Sequence, residues 1–318
     1  MGGSDGERDD SVRPRERELA QEIDAELADF DQAKRPLPGV RDAASRVAFR
    51  EQLLESIRRV RFVEIMRTRQ FSDRRANPND ELFDPLKAAI LQQRRGNVEE
   101  AFWLVFLFVH FGKHGRGGWR YVREVYGRFG EGGLWDWLTT SRNPAAFRRW
   151  LNTHQDELRR PGAGFGNHRK RESLDAYSAT GTGAVVESYI AWVGAHGSHE
   201  QLIAETLERT AGSPEVAFND LYESMSAVTR FGRLARFDYL AMLGKVELAP
   251  IRPGSPYLQG SSGPLQGAKF LFGRDERAAT FDPWIAELGE HLGLGMQVLE
   301  DALCNWQKSP KQFVRFRG

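Results

Sequence analysis

Between Glu99 and Phe111 the chain has no polar face. Phe102, Trp103, Leu104, Phe106, Leu107 and Phe108 lie all round a helix, and such a helix is stable only with protein on every side. Asn97 is placed to cap it, and Glu100 and His110 stand at its two ends. The uninterrupted apolar run, Ala101 to Val109, is far short of the roughly 20 residues that span a bilayer. Other helices must therefore cover it. Helical spacing predicts them over residues 15–34 (Leu19, Ile23, Leu27, Phe30), 43–70, 80–93, 184–193, 199–210, 214–229 and 232–243. Three more are expected near the end: one entered at Ser261 to Lys269, one opened by Phe281-Asp282-Pro283 with Asp282 as N-cap, and a last one over 294–308. No Val/Ile-rich alternation supports a sheet. The fold class is mainly α, a multi-helix globular fold, and 318 residues allow two domains or one large one. Met1 to Pro14 lacks apolar periodicity and reads as a disordered tail.

Composition excludes more than it assigns. Forty-five basic residues balance 44 acidic ones, for a net charge of +1, so only local clustering can point to a polyanion. The single cysteine, Cys304, rules out an internal disulfide and a cysteine-based zinc site. A polar N-terminus without a signal peptide and no membrane span point to a cytoplasmic protein. His110 and His114 have the spacing of helical metal ligands, but Gly112 interrupts them and no H-E-x-x-H is present, so no metal is expected there.

The chemistry concentrates in Pro161 to Gly183. Gly162, Gly164 and Gly166 alternate with small or aromatic residues, and Asn167, His168, Arg169, Lys170 and Arg171 come next, then Glu172 and Asp175. Glycines permit sharp turns and close approach to a ligand. Cations beside such a turn suit a phosphate or diphosphate, and the free amides of the helix after Thr180-Gly181-Thr182-Gly183 would add to an anion site. The competing reading is a solvated connector, which has no need of so many chemically active side chains within nine residues. From Gly112 to Trp150, cations interleave with aromatics, among them Lys113, Trp119 and Arg120. That mixture suits nucleic acid, or equally short helices with aromatics inward and arginines outward. The arginines at 58, 59, 61, 67 and 69 read as a solvated or acid-paired face. Arg230, Arg233 and Arg236 form a row at helical spacing. Gly263, Gly267 and Lys269 form a Gly-rich turn that could present amides to a phosphate. Asp301 and Asn305, four apart, share a helix face beside Glu300.

Several of these motifs, taken in order, resemble one family. They are Phe83-Asp84-Pro85-Leu86-Lys87, Glu100-Ala101-Phe102-Trp103-Leu104, His110-Phe111-Gly112-Lys113, Gly118-Trp119, Gly164-Phe165-Gly166-Asn167-His168-Arg169-Lys170-Arg171-Glu172 and Leu299-Glu300-Asp301-Ala302-Leu303-Cys304-Asn305-Trp306. The family is the amino acid:DNA transferases of bacterial viruses, also called α-glutamyl/putrescinyl thymine pyrophosphorylases. The resemblance covers roughly residue 75 onward. It divides the chain into the tail at 1–14, an N-terminal helical extension at 15–75 and a transferase-like helical domain at 76–318. It implies transfer of the amine of a free amino acid or polyamine onto diphosphorylated 5-hydroxymethyluracil in DNA, with release of pyrophosphate, in the host cytoplasm if viral.

On that reading Arg169, Lys170 and Arg171 stabilise the leaving diphosphate, helped by Gly164, Gly166 and Asn167. His168, Glu172 or Asp175 would take the proton of the amine, and Asp301 or Glu300 would hold the ammonium. Lys113, Trp119, Arg120, Gly263, Gly267 and Lys269 would contact DNA. Mg²⁺ could accompany the diphosphate, although no carboxylate cluster dictates it. The family also implies a distant likeness to helix-hairpin-helix DNA glycosylases, with Gly263 to Lys269 as the hairpin turn and Asp282 near the place of their catalytic acid. The alternatives are a non-catalytic helical DNA-binding module and a glycosylase-like enzyme. The transferase needs residues 162–175 to form a concave pocket; the glycosylase needs Asp282 deep in a base pocket.

Overall fold

The computed structural model describes residues 16–315; the tail expected to be disordered lies outside them. Among the described residues there are fourteen α-helices and no strand. By contact the described residues divide into two units, one of residues 16–62 with 255–315 and one of residues 63–254.

The first unit brings the two ends of the chain into one core. Helix α1 (Arg17–Ala33) buries Ile23, Leu27 and Phe30 as its spacing predicts, with Ala20 also buried and Leu19 only half-buried at its start. A 3-10 turn at Pro38–Val40 leads to α2 (Ala43–Thr68), within which the division between units falls. The C-terminal helices are α12 (Gly263–Phe272), α13 (Ala278–His291) and α14 (Met296–Trp306). Their Leu271, Phe281, Leu288 and Leu303 share the core of α1 and α2, and Phe49 lies 4.8 Å from Trp306 between ring centroids. Gly263 to Lys269 are helical rather than a turn between helices. A Cβ on Gly267 would come within 2.5 Å of Leu303 O, so this glycine lets α12 and α14 approach closely.

Helix α13 starts at Ala278, five residues before the Pro-based signal with Asp282 as N-cap suggests. Pro283 is therefore internal, and Asp282 is no N-cap; its Oδ1 accepts from Leu258 N at 3.0 Å and ties down the loop before α12. Arg58 pairs with Glu16 and Glu55, and Arg59 pairs with Asp301, as an acid-paired face requires.

The second unit is built on α4 (Val98–Phe111), which buries Ala101 to Leu107 and Val109 to Phe111. Its helices α3 (Pro85–Arg94), α5 (Arg120–Tyr126), α6 (Trp137–Arg142), α9 (His199–Arg209) and α11 (Arg233–Lys245) pack against α4. Helices α7 (Pro144–Leu158), α8 (Thr182–Gly194) and α10 (Pro214–Ser224) complete it. Phe106 stacks on Tyr189 at 3.8 Å and on Phe231 at 5.1 Å. Helix α3 begins at Pro85 rather than at residue 80, because Asp84 caps it, its side chain accepting from Lys87 N. Asn97 makes no side-chain cap bond; its amide donates to Gln92 Oε1 at 2.8 Å instead. The carboxylates of the first turn of α4 work outward. Glu99 accepts from the backbone amides of His199 and Glu200, at 3.2 and 3.1 Å, and so caps α9. Glu100 accepts from Tyr126 Oη and Trp137 N, each at 2.7 Å.

The buried charges can be tested by substitution. Arg50, nearly covered, bridges Asp24 at 2.7 Å and Glu51 at 3.1 Å. Arg50→Ala strips the guanidinium from a buried carboxylate and should cost about 3–5 kcal/mol in urea unfolding. Burial pushes Glu100 up to about 7, against its two hydrogen bonds. Its contribution to stability is full below the ordinary glutamate range and falls as pH rises to about 7, by roughly 3 kcal/mol. Glu100→Gln keeps acceptor and shape, so its stability should be flat across that window where the parent chain declines.

Candidate functional site

Helix α4 ends at Gly112 (φ 62), and the course of the chain beyond it is set by the packing of two Gly-rich stretches on each other. Gly166 N donates to Phe111 O at 2.7 Å. A Cβ on Gly166 would lie 2.8 Å from Gly112 Cα, and one on Gly117 would lie 2.2 Å from Gly162 O. The imidazole of His114 lies on Gly164, and its Nδ1 accepts from Gly117 N at 3.0 Å. Arg120, paired with Glu124 at 2.6 Å, also donates to Pro161 O at 3.3 Å. Thus the cation-aromatic tract and the Pro161 to Gly183 stretch, apart in sequence, meet through their backbones.

Together they wall an open depression of about 390 Å³ lined by His114, Tyr121, Arg159, Gly164, Lys170 and Glu172, among others. Residues 167–169 form a 3-10 turn above it, with His168, Lys170 and Arg171 exposed. Arg169 turns inward and is only 8% exposed. Its Nε donates to His110 O at 3.3 Å, its guanidinium lies 5.2 Å from the ring centre of Phe231, and its Nη2 is 3.8 Å from Glu172 Oε1 without a hydrogen-bond partner. Burial lowers its pKa, with Glu172 and Asp238 opposing. Glu172 is held from the other side by Arg230, Nε to Oε2 at 3.1 Å and Nη2 to Oε1 at 3.2 Å, while Arg230 also donates to Arg171 O. Arg230 precedes α11 in the left-handed region (φ 62), so it is not part of a helical row with Arg233 and Arg236. Its spacing misleads because the chain turns there.

The other candidates have different surroundings. Asp175 closes a turn, its Oδ1 accepting from the amides of Tyr177 and Ser178 at 2.8 and 2.6 Å, and these bonds hold its carboxyl below the usual range. The amides that open α8 are engaged by the same turn: Thr182 N donates to Ser173 O and Gly183 N to Asp175 O. They are closed to an anion. His110, buried, meets Thr182 Oγ1 at 3.0 Å; burial, and then the charge of Arg169, push its pKa well down. It does not face His114 as a metal ligand would. Lys113 is exposed, and Trp119 is half-buried, 5.0 Å from Phe108. Of the aromatics in this tract, Tyr121, Tyr126 and Trp135 are buried in the core.

Asp301 belongs to the first unit, where Ser56, Arg59 and Asn305 engage it at 2.6, 2.6 and 3.0 Å. Glu300 is buried there, Lys269 pairs with Asp275 at 2.5 Å, and Gly263 opens α12 under Cys304. The carboxylates of the Arg-rich turn do not fit a protein-held Mg²⁺. Glu172 is taken by Arg230 and Asp175 by its own turn, and no group of three or more metal-ligating side chains gathers among the described residues. Arg159, Tyr121, Arg230 and Phe231 were not singled out for this site from the sequence; only the tertiary fold carries them there.

Because Gly166 lies against backbone rather than a movable side chain, Gly166→Ala should cost roughly 1–3 kcal/mol of stability. The same substitution at Gly162, with nothing within 4 Å but a φ of +87°, tests strain alone. Denaturant midpoints of the two variants, read with their DNA affinities, separate close packing from backbone conformation.

The family model for alpha-glutamyl/putrescinyl thymine pyrophosphorylase clade 3 matches residues 44–318. No curated protein and no solved structure matches the chain significantly. No helix among the described residues is long and apolar enough to cross a membrane. The family's name implies a pyrophosphorylase or transferase with a DNA thymine as substrate and an amine as donor. The Gly-rich, Arg-rich turn and the helix that supports it lie within a match that takes in most of the sequence, and on that ground the chain belongs to clade 3 of the alpha-glutamyl/putrescinyl thymine pyrophosphorylases, a family of thymine hypermodification.

Proposed function

We propose that this chain transfers the amine of a free amino acid or polyamine onto diphosphorylated 5-hydroxymethyluracil in DNA and releases pyrophosphate. The observation that carries this reading is that Gly164, Phe165, Lys170 and Glu172 to Leu174 wall a depression with Arg159, and that Glu172 is held by Arg230. In the reaction a C–N bond forms at the hydroxymethyl carbon, the C–O bond to the diphosphate breaks, and the electron pair leaves with the diphosphate. Growing negative charge on that group is the principal demand, and fixed cations in a preformed site answer it.

Lys170 and Arg171, both exposed, are the cations that reach the leaving group, with Arg169 behind them. Glu172 has both oxygens on Arg230, which suits it to hold the cationic turn in place. His168, exposed on the same turn, is the candidate to take the proton of the amine. Gly166, its amide engaged by Phe111 O, acts by spacing the loop, leaving Gly164 and Asn167 to line the approach. Lys113, Trp119 and Arg120 flank the same loops and are the proposed DNA contacts, and the carbon attacked faces the major groove.

Incubation with DNA carrying diphosphorylated hydroxymethyluracil and a panel of amines, followed by mass spectrometry of the nucleosides, should show one new 5-aminomethyluracil derivative. Lys170→Ala should lower kcat about 10- to 100-fold with DNA affinity nearly kept. Arg169→Ala tests packing as well as charge, since the side chain is buried on Phe231. Absence of any new nucleoside with every donor would leave only a helical DNA-binding module.

A further inference from the structure

The first unit carries a second hollow, of about 280 Å³, that this chemistry does not use. Lys34, Arg35, Arg41 and Arg274 line it together with Phe272 and Trp284, and no carboxylate does. Three separate segments deliver these cations. Lys34 and Arg35 come directly after α1, Arg41 after the 3-10 turn, and Arg274 after Gly273, the left-handed C-cap of α12. A Cβ on Gly273 would come within 2.5 Å of Pro38 Cγ, so the segments are packed together.

Trp284 holds two of the cations. The guanidinium of Arg35 lies 4.2 Å from its ring centre and that of Arg274 lies 5.6 Å away. A guanidinium stacked on an indole keeps its N–H edge for a ligand. Neutralisation is incomplete. Arg35 meets Glu287 at 3.1 Å and Arg41 lies 3.6 Å from Asp31, but Lys34 and Arg274 form no ion pair with a described residue. Two helices end here, and a helix C-terminus favours one nearby cation by about 0.3–1 kcal/mol. That accounts for Lys34 and Arg274 singly. Arg35 and Arg41 have Glu287 and Asp31, so the hollow as a whole keeps two cations that no carboxylate answers.

We infer that this hollow binds a phosphate group, and that the phosphodiester backbone of DNA supplies it. Lys34, Arg35 and Arg41 precede residue 44, where the family match begins, while Phe272, Arg274 and Trp284 lie within it. The phosphate chemistry stands on the hollow alone; the DNA source rests on the proposed function.

The test uses the full chain and the double variant Lys34→Ala/Arg274→Ala. Both residues are exposed, so an unchanged unfolding midpoint confirms an intact fold. One arm titrates unmodified duplex DNA across a salt series, and the other titrates inorganic pyrophosphate by calorimetry. Loss of this one phosphate contact should reduce the slope of log K against log salt by roughly 0.9 and weaken all DNA sequences alike. An unchanged slope with at least tenfold weaker pyrophosphate binding would overturn DNA as the source and keep the phosphate site. If neither arm moves, the inference is wrong. Failure of the parent chain to bind any DNA would count against the proposed function, while the pyrophosphate arm would still decide the hollow.

Discussion

Helix α4 has no side that tolerates water, and the second unit is arranged to meet that demand. Helices α3, α5, α6, α9 and α11 pack against it, and Phe106 at its middle also stacks on Tyr189 from α8 and on Phe231 just before α11. Apolar contact fixes that neighbours are needed but not which ones or at what angle. The polar ends of α4 supply the orientation. Glu99 caps α9 and Glu100 holds Tyr126 and the start of α6, so two adjacent carboxylates pin helices on different sides. Burial raises the cost of each unsatisfied group and makes these few bonds decisive.

At the other end of α4 the same rigidity positions the site. Gly112 releases the chain, and Gly166 is drawn against it because neither residue has a side chain to hold them apart. The Arg-rich turn is then held by groups far from it in sequence: Phe111 O, His110 O and the forked guanidinium of Arg230. Arg230 adopts a left-handed conformation that costs about 1–2 kcal/mol in an L-residue. Its paired bonds to Glu172, strengthened by charge, offset that strain. Strain held in this way beside a cationic turn is common where groups must be ready before a ligand arrives.

Much of the helical architecture was legible in the chain. Ile23, Leu27 and Phe30 of the α1 stripe and the all-round burial of α4 follow from spacing and residue type, because those features are local. Local signals also misled. Phe281-Asp282-Pro283 looks like a helix start, yet the helix begins at Ala278 and Asp282 binds a loop amide. Gly263 to Lys269 looks like a turn, yet its glycines serve a helix-helix contact with α14. The glycines at 162–166 announced close approach, but not that the approaching body is the chain's own residues 112–117.

The sequence by itself determined that the protein is helical, that one helix is its buried axis, and that positive charge and glycine converge on residues 162–175. These properties come from periodicity and composition over short windows. Only the tertiary structure decided which of those cations faces a hollow and which is buried, since Arg169 and Lys170 are neighbours in the chain and opposite in exposure. It also decided that Arg230 clamps Glu172 and that four cations from three segments line one hollow with Trp284. Contacts of that kind depend on how distant segments fold back on one another, and no local pattern records it.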